Sequence, residues 1–233
     1  MKNFPKNRYN WLPDFVYGGI DGAVTTFAVV AGVAGAQLST SIVLILGFAN
    51  LFADGFSMAV GKYLSDHAEK QRIQSIRKKV DKNIHNNPEE KKADLRIILE
   101  ERGFEGADLD KATQIMSANE KVWIDTIMSH KYNLVDENIE PLKGGVATFI
   151  AFNLIGFIPL AAYVFNPFFN FEMEIIFYLT AAFTLFALFI VGAVKAKVTG
   201  EGSWIRAGFE TLFIGGAAAG IAYIVGYLLR NIG

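Results

Sequence analysis

The sequence predicts an all-α integral membrane protein: five transmembrane helices with a small cytosolic helical insert between helices two and three. Three observations carry this reading. Of the 233 residues, 52% are hydrophobic and 20 are Phe, yet mean hydropathy is only +0.30. The average is low because charge is segregated: residues 66–143 hold 30 of the 45 Asp, Glu, Lys and Arg residues, and the other two thirds hold 15. Outside that block, five stretches reach the roughly 20 mostly apolar residues that a helix needs to cross a bilayer.

The five spans are Phe15–Ala36, Ser41–Leu64, Gly144–Phe165, Glu174–Val194 and Trp204–Leu229. Only QLSTS separates the first two, which fits a tight helical hairpin with Ser39 or Thr40 as N-cap of the second helix. Pro159 removes a backbone donor from the third span and is expected to kink it. FNPFFNF (165–171) reads as a short turn with aromatics suited to a membrane interface. The first span is too long and glycine-rich for a cleaved signal peptide, so it is expected to be retained. Glycines at 18, 19, 22, 32 and 35 in span one and at 208, 215, 216, 220 and 226 in span five allow close helix packing, or reflect general glycine enrichment in membrane helices.

Orientation follows the basic residues near span ends. Lys2, Lys6 and Arg8 precede span one, six basic residues fall between Lys70 and Lys82, and Lys195, Lys197 and Arg206 lie between spans four and five. The two opposite connections contain neither Lys nor Arg. The N-terminus and insert are therefore expected in the cytosol and the C-terminus outside. The host is the cytoplasmic membrane in a prokaryote and a vacuole-like organelle in a eukaryote. The chain divides into residues 1–65 (tail and helices one and two), 66–143 (insert) and 144–233 (helices three to five).

In the insert, Ile73, Ile76, Val80 and Ile84 keep helical spacing, so span two is expected to continue as a long amphipathic helix. Pro88 fits the first turn of a second helix that ends near Gly103. GADLDKATQIM reads as a third helix, and Trp123, Ile124, Ile127 and Met128 mark a fourth. So short a block is marginal alone and should pack on itself or on a second copy.

Ionisable groups at membrane depth are costly and mark function by default. Asp14 and Asp21 are two helical turns apart on one face of helix one. In ANLFADGFSMAVGKYLS (49–65), Asn50, Asp54, Met58 and Lys62 follow one another at four-residue spacing, forming one stripe. The structural readings are a hydrogen bond between Asp21 and Thr25 or Thr26, an Asp54–Lys62 ion pair or an Asp54 cap on a neighbouring helix, and core filling by Met58. The functional reading is a metal path, since carboxylate plus thioether suits a borderline transition-metal dication better than magnesium or calcium. Glu210, four residues after Arg206, reads as half of a local ion pair.

These residues carry a resemblance. DGAVTTFAVVAGVAGA (21–36), ANLFADGFSMAVGKYLS (49–65), GFIPLAAYVF (156–165) and IGGAAAGIAYIVG (214–226) resemble the vacuolar iron transporter family over nearly the whole chain. The resemblance implies five helices, a homodimer with a pathway between the two copies of helix one, and export of ferrous iron, often also manganese, in exchange for protons. It places the family's acids on Asp14 and Asp21 and its pathway methionine on Met58. The helix-two glutamate falls on Asn50, with Asp54 one turn along, and the family's GEY is GKY here, at Lys62. In the insert the family's metal positions fall on Val80, Asn83, Lys91, Asp94, Ile127, Met128 and Lys131, of which only Asp94 and Met128 keep ligand chemistry. The expected metal residues are thus Asp21, Asp54, Met58, Asp14, Asn50, Asp94 and Met128. No permanent cofactor is implied; Fe2+ or Mn2+ is the cargo.

Other functions weigh less. A net charge of −1 gives no field for nucleic acid. The absence of cysteine excludes disulfides, thiolate metal sites and cysteine nucleophiles. An enzyme is not expected: all three histidines lie in the charged block, and an Asp21–Asp54 acid dyad would need carboxyls about 3 Å apart. The alternative is a diverged, non-transporting scaffold or sensor acting through its insert.

Overall fold

The computed structural model describes residues 9–134, 138–200 and 202–231. Lys2, Lys6 and Arg8, invoked above for orientation, lie outside them. The described residues form helices and connecting loops, with no strand among them. They divide into two compact units: Tyr9 with the described residues of Ser65–Ile139, and Asn10–Leu64 with the described residues of Glu140–Gly233.

The larger unit contains α1 (Leu12–Gly35), the first part of α2 (Thr40–Asn86), α6 (Pro141–Gly156), α7 (Ile158–Phe169), α8 (Met173–Thr199) and α9 (Trp204–Leu229). Four of these, α1, α2, α8 and α9, are long and apolar enough to cross a membrane; α6 and α7 are bent 46° from each other and make a fifth if counted as one broken span. The break has a local cause. Pro159 has no N–H to continue the ladder, and Phe157 N closes the end of α6 on Asn153 O at 3.0 Å.

One expectation needs correcting. FNPFFNF is not a turn throughout: α7 runs through Pro167 to Phe169, and the chain reverses at Asn170, in the left-handed region at φ 52°. Asn166 fixes that end, its backbone O accepting from Asn170 N and its side-chain Oδ1 from Phe171 N, at 2.8 and 2.9 Å. An amide one turn before the end of a helix can stop it where proline, already inside, does not. The Arg206–Glu210 ion pair is not formed either; both side chains are exposed and neither is in an ion pair among the described residues.

α1 is the centre of this unit, packed on α6, α8 and α9. Its glycines permit that. A Cβ at Gly22 would lie 2.3 Å from Phe152 O on α6, and one at Gly35 would lie 2.2 Å from Tyr223 O on α9. These are backbone-to-backbone contacts that only glycine allows. α2 lies against α6 and α7, with Leu51, Val43, Phe152, Leu160 and Tyr163 in one buried cluster.

The smaller unit contains the second part of α2, α3 (Pro88–Glu101), α4 (Gly106–Ser117) and α5 (Glu120–Lys131). Pro88 opens α3 and Gly103, at φ +90°, follows its end. Asn119 caps α5, its Oδ1 accepting from Val122 N at 3.2 Å. Val80 and Ile84 of α2 share a buried core with Leu95, Ile98 and Leu99 of α3, Leu109 of α4, and Trp123, Ile124, Ile127 and Met128 of α5. The unit thus packs on itself. Arg77–Asp125 and Arg96–Asp110 ion pairs tie its elements at the surface.

Candidate functional site

α1 presents Asp14 and Asp21, and α2 presents Asn50, Asp54, Met58 and Lys62, all half-buried. Regular α geometry keeps each stripe on one helix face, because residues four apart sit one turn above each other. The two stripes meet at two places. Near the start of α1, Lys62 Nζ lies 3.1 Å from Asp14 Oδ1, with the carboxylate largely shielded. The lysine that sequence spacing pairs with Asp54 is therefore held by the acid of the neighbouring helix. Deeper along α1, Asn50 Nδ2 donates to the hydroxyls of Thr25 and Thr26, each at 3.4 Å. Thr25 in turn donates to the Asp21 backbone carbonyl at 2.8 Å. The threonines thus serve the Asn50 amide and the backbone of their own helix.

Asp21 and Asp54 lie within electrostatic reach of each other. Asp21 also lines a groove of about 470 Å³ among α1, α8 and α9, where Lys195 is the other charged residue. Met58 packs at the edge of the α2–α6–α7 apolar cluster, so its thioether has the surroundings expected of a core residue as well as a place on the stripe. The arrangement brings two carboxylates, an amide and a thioether to one helix pair. Hard and soft donors so combined can hold a borderline dication, and carboxylates can also carry protons.

Sequence reasoning missed Asn153. It is the one amide inside the apolar run of α6, and its Nδ2 donates to Phe149 O at 2.9 Å. It sits against Gly55, the residue after Asp54: a Cβ there would be 2.9 Å from Asn153 Nδ2. The available signal was the rule already applied to α2, that a polar side chain in an apolar span needs a reason.

In the smaller unit, Asp94 Oδ2 accepts from Lys91 Nζ at 2.8 Å and lies 3.5 Å from Lys131 Nζ. Lys91 also pairs with Glu90 at 2.7 Å. The Lys91 hydrogen bond, with Lys131 adding its charge against some desolvation, holds the Asp94 carboxyl below its ordinary value; Asp94 and Glu90 hold Lys91 above its own. Two ammonium groups thus occupy the carboxylate expected to bind a dication. Met128, the other expected donor, is buried in the apolar core.

Apolar helices of membrane-crossing length, two of them carrying carboxylates, an amide and a thioether, define an integral membrane protein with polar side chains on its candidate spanning helices. The family model described as the VIT family matches residues 12–227, and the chain belongs to that family. Similar proteins include a vacuolar iron transporter of Toxoplasma gondii (strain ATCC 50861 / VEG), 34% identical over 99% of this chain and 78% of the relative. Vacuolar iron transporter 1 of Arabidopsis thaliana is 33% identical over 94% of this chain and 86% of the relative. The vacuolar iron transporter of Plasmodium falciparum (isolate 3D7) is 30% identical over 94% and 82%.

Proposed function

We propose that the protein is a homodimeric, proton-coupled exporter of ferrous iron or manganese from the cytosol, with five spans, a cytosolic N-terminus and a cytosolic insert. The observation that carries this is the polar line of Asp21, Asn50, Asp54 and Met58 on two otherwise apolar helices; the names of the similar proteins supply the cargo. Asp21, Asp54 and Met58 bind the ion at depth, and Asp14 draws it in at the cytosolic mouth. Protonation of the carboxylates from the far side neutralises the oxygens, weakens binding and releases the metal. Metal moves one way as protons move the other.

The experiment is uptake of Fe2+ and Mn2+ into proteoliposomes with an internal pH dye. Asp21→Asn and Met58→Ala should each abolish transport while the protein still elutes as a dimer. Undiminished transport in both variants rules the assignment out. The lysines on Asp94 favour a second reading, a non-transporting member that acts through its insert. That reading predicts no uptake by the wild type and a tightly held protein partner.

A further inference from the structure

A groove of about 680 Å³ lies among α1, α8 and α9, at the end of the bundle where α1 finishes and α8 begins. It arises because two helices diverge. Near their other end, α8 and α9 touch through backbone: a Cβ at Gly192 would lie 2.6 Å from Ala207 O, and one at Gly208 would lie 3.0 Å from Phe189 O. Toward the groove that contact is lost. A Cβ at Gly216 would meet only Leu185 Cδ2, at 3.5 Å, and one at Gly220 would meet nothing within 4 Å. There the Phe177 and Tyr223 rings bridge the gap, their centroids 5.9 Å apart. α1 supplies the floor, where Phe27 and Ala31 are buried against Ala219 of α9.

The lining is graded along the helices. Phe27, Leu185 and Gly216 make one end apolar, whereas Gln37, Glu174 and Tyr178 gather at the other. The groove follows α9 from Gly216 to Ile224 and α8 from Met173 to Leu185. At 1.5 Å per residue these stretches are about 12 and 18 Å long. They bracket the hydrocarbon depth of one leaflet, roughly 15 Å. Glu174 is the one charged residue of the lining; it is exposed and makes no ion pair among the described residues.

We propose that this groove holds one phospholipid whose headgroup carries an ammonium, as in phosphatidylethanolamine. The ammonium pairs with Glu174, and an acyl chain runs along Phe27, Leu185 and Gly216. Charge selects the headgroup: a purely anionic lipid would meet a carboxylate there and no Lys or Arg. Depth selects a lipid, since tyrosine and polar groups sit at headgroup level with the apolar wall below. A hydrocarbon chain also restores the packing contacts that the two glycines leave unmade. A helix of a second copy, about 10–12 Å across with its side chains, is too wide for a cleft bridged by one ring pair. Asp21, Asp54 and Met58 do not line the groove, so the site stands or falls apart from metal transport.

Full-length protein in detergent is stripped of lipid and incubated with equal amounts of dioleoyl phosphatidylethanolamine and dioleoyl phosphatidylglycerol. Native mass spectrometry then counts the retained lipid. Gly220→Leu fills the groove without meeting protein, so wild type should retain one more phosphatidylethanolamine per protomer than this variant. The wild-type preference over phosphatidylglycerol should be about fivefold, the worth of one exposed ion pair. Glu174→Gln should erase that preference, and its circular dichroism should match wild type because the side chain is exposed. Equal retention by wild type and Gly220→Leu overturns the site, as does a preference that survives Glu174→Gln. Should Gly220→Leu change the oligomeric state and not the lipid count, the groove belongs to a second copy and the proposal fails.

Discussion

Gly22→Ala tests the packing that sets the two acids of α1 in place. The added methyl would sit 2.3 Å from Phe152 O and 2.9 Å from Phe152 C and Cα, all backbone atoms that no rotamer change can move. Ordinary contact begins at 3.4 Å, so α1 and α6 must part locally by the difference, about 1.1 Å. Overpacking of this kind costs up to about 3 kcal/mol. Replacing a helical glycine by alanine returns about 1 kcal/mol of propensity. The net is a destabilisation of about 2 kcal/mol, or roughly a 30-fold shift in the unfolding equilibrium. Gly61→Ala is the matched control: nothing lies within 4 Å of its Cβ, so only the propensity gain remains and the sign reverses. Titration of each variant with SDS in mixed micelles, followed by circular dichroism, reads both effects. The Gly22→Ala midpoint should fall below wild type and that of Gly61→Ala should meet or exceed it. Equal midpoints for the two variants would refute the close approach of α1 and α6. Transport should also fall in Gly22→Ala, because Asp21 is the adjacent residue.

Other outcomes follow from the charged groups. Asp94 titrates below its ordinary 3.8 when folded, so its contribution to stability is present above that pH and is lost as pH falls through the folded value. Lys91→Met removes the largest cause. The stability gap between wild type and this variant, read from the fluorescence of buried Trp123, should be widest near neutral pH and narrow as pH falls below the ordinary 3.8 of Asp94 and through its lower folded value; a gap independent of pH would exclude the pair as its source. Leu95→Ala opens a hole in the same core, where the side chain is 0% exposed, and should cost about 2–5 kcal/mol in a melt of the smaller unit. Lys62→Ala removes the ammonium 3.1 Å from Asp14 and should lower the KM for Mn2+ in proteoliposomes, whereas an unchanged KM would remove the mouth role of Asp14.

Long-range features of the helices were legible because they depend on composition and period. The apolar runs, the charged block, the Pro159 break and the helices after Pro88, Gly103 and Asn119 each follow from local chemistry. What was not legible depended on which neighbour a side chain meets. Spacing along α2 offers Asp54 as the partner of Lys62, but the two are two turns apart and Asp14 of α1 is nearer in space. Spacing along α1 offers Thr25 and Thr26 to the Asp21 carboxyl, but both hydroxyls accept from the Asn50 amide, and that of Thr25 donates to the Asp21 backbone carbonyl. Asn166, not Pro167, ends α7, because its side-chain Oδ1 accepts from Phe171 N while its backbone O accepts from Asn170 N.

These pairings change what the stripe of α2 can do. Asn50 donates to the Thr25 and Thr26 hydroxyls of helix one, so at that level the stripe joins α1 and α2. Such a bond in a membrane is worth only about 0.6 kcal/mol on average. At 3.4 Å its two contacts are longer than a typical N–H···O bond, so this joint is a weak one. Lys62 at the other end places a cation 3.1 Å from Asp14 and offsets its charge. Asp54 lies between the two, one turn from Asn50 and two from Lys62, in electrostatic reach of Asp21. Under the proposed export, the charge available to cargo therefore concentrates on Asp21 and Asp54. A dication near both carboxylates is favoured twice over, by their attraction for it and by the repulsion between them that it cancels. Asp54→Asn should for that reason impair transport more than Asp14→Asn, whose charge Lys62 already offsets. Comparable transport by the two variants would place the binding charge at the mouth instead of at depth.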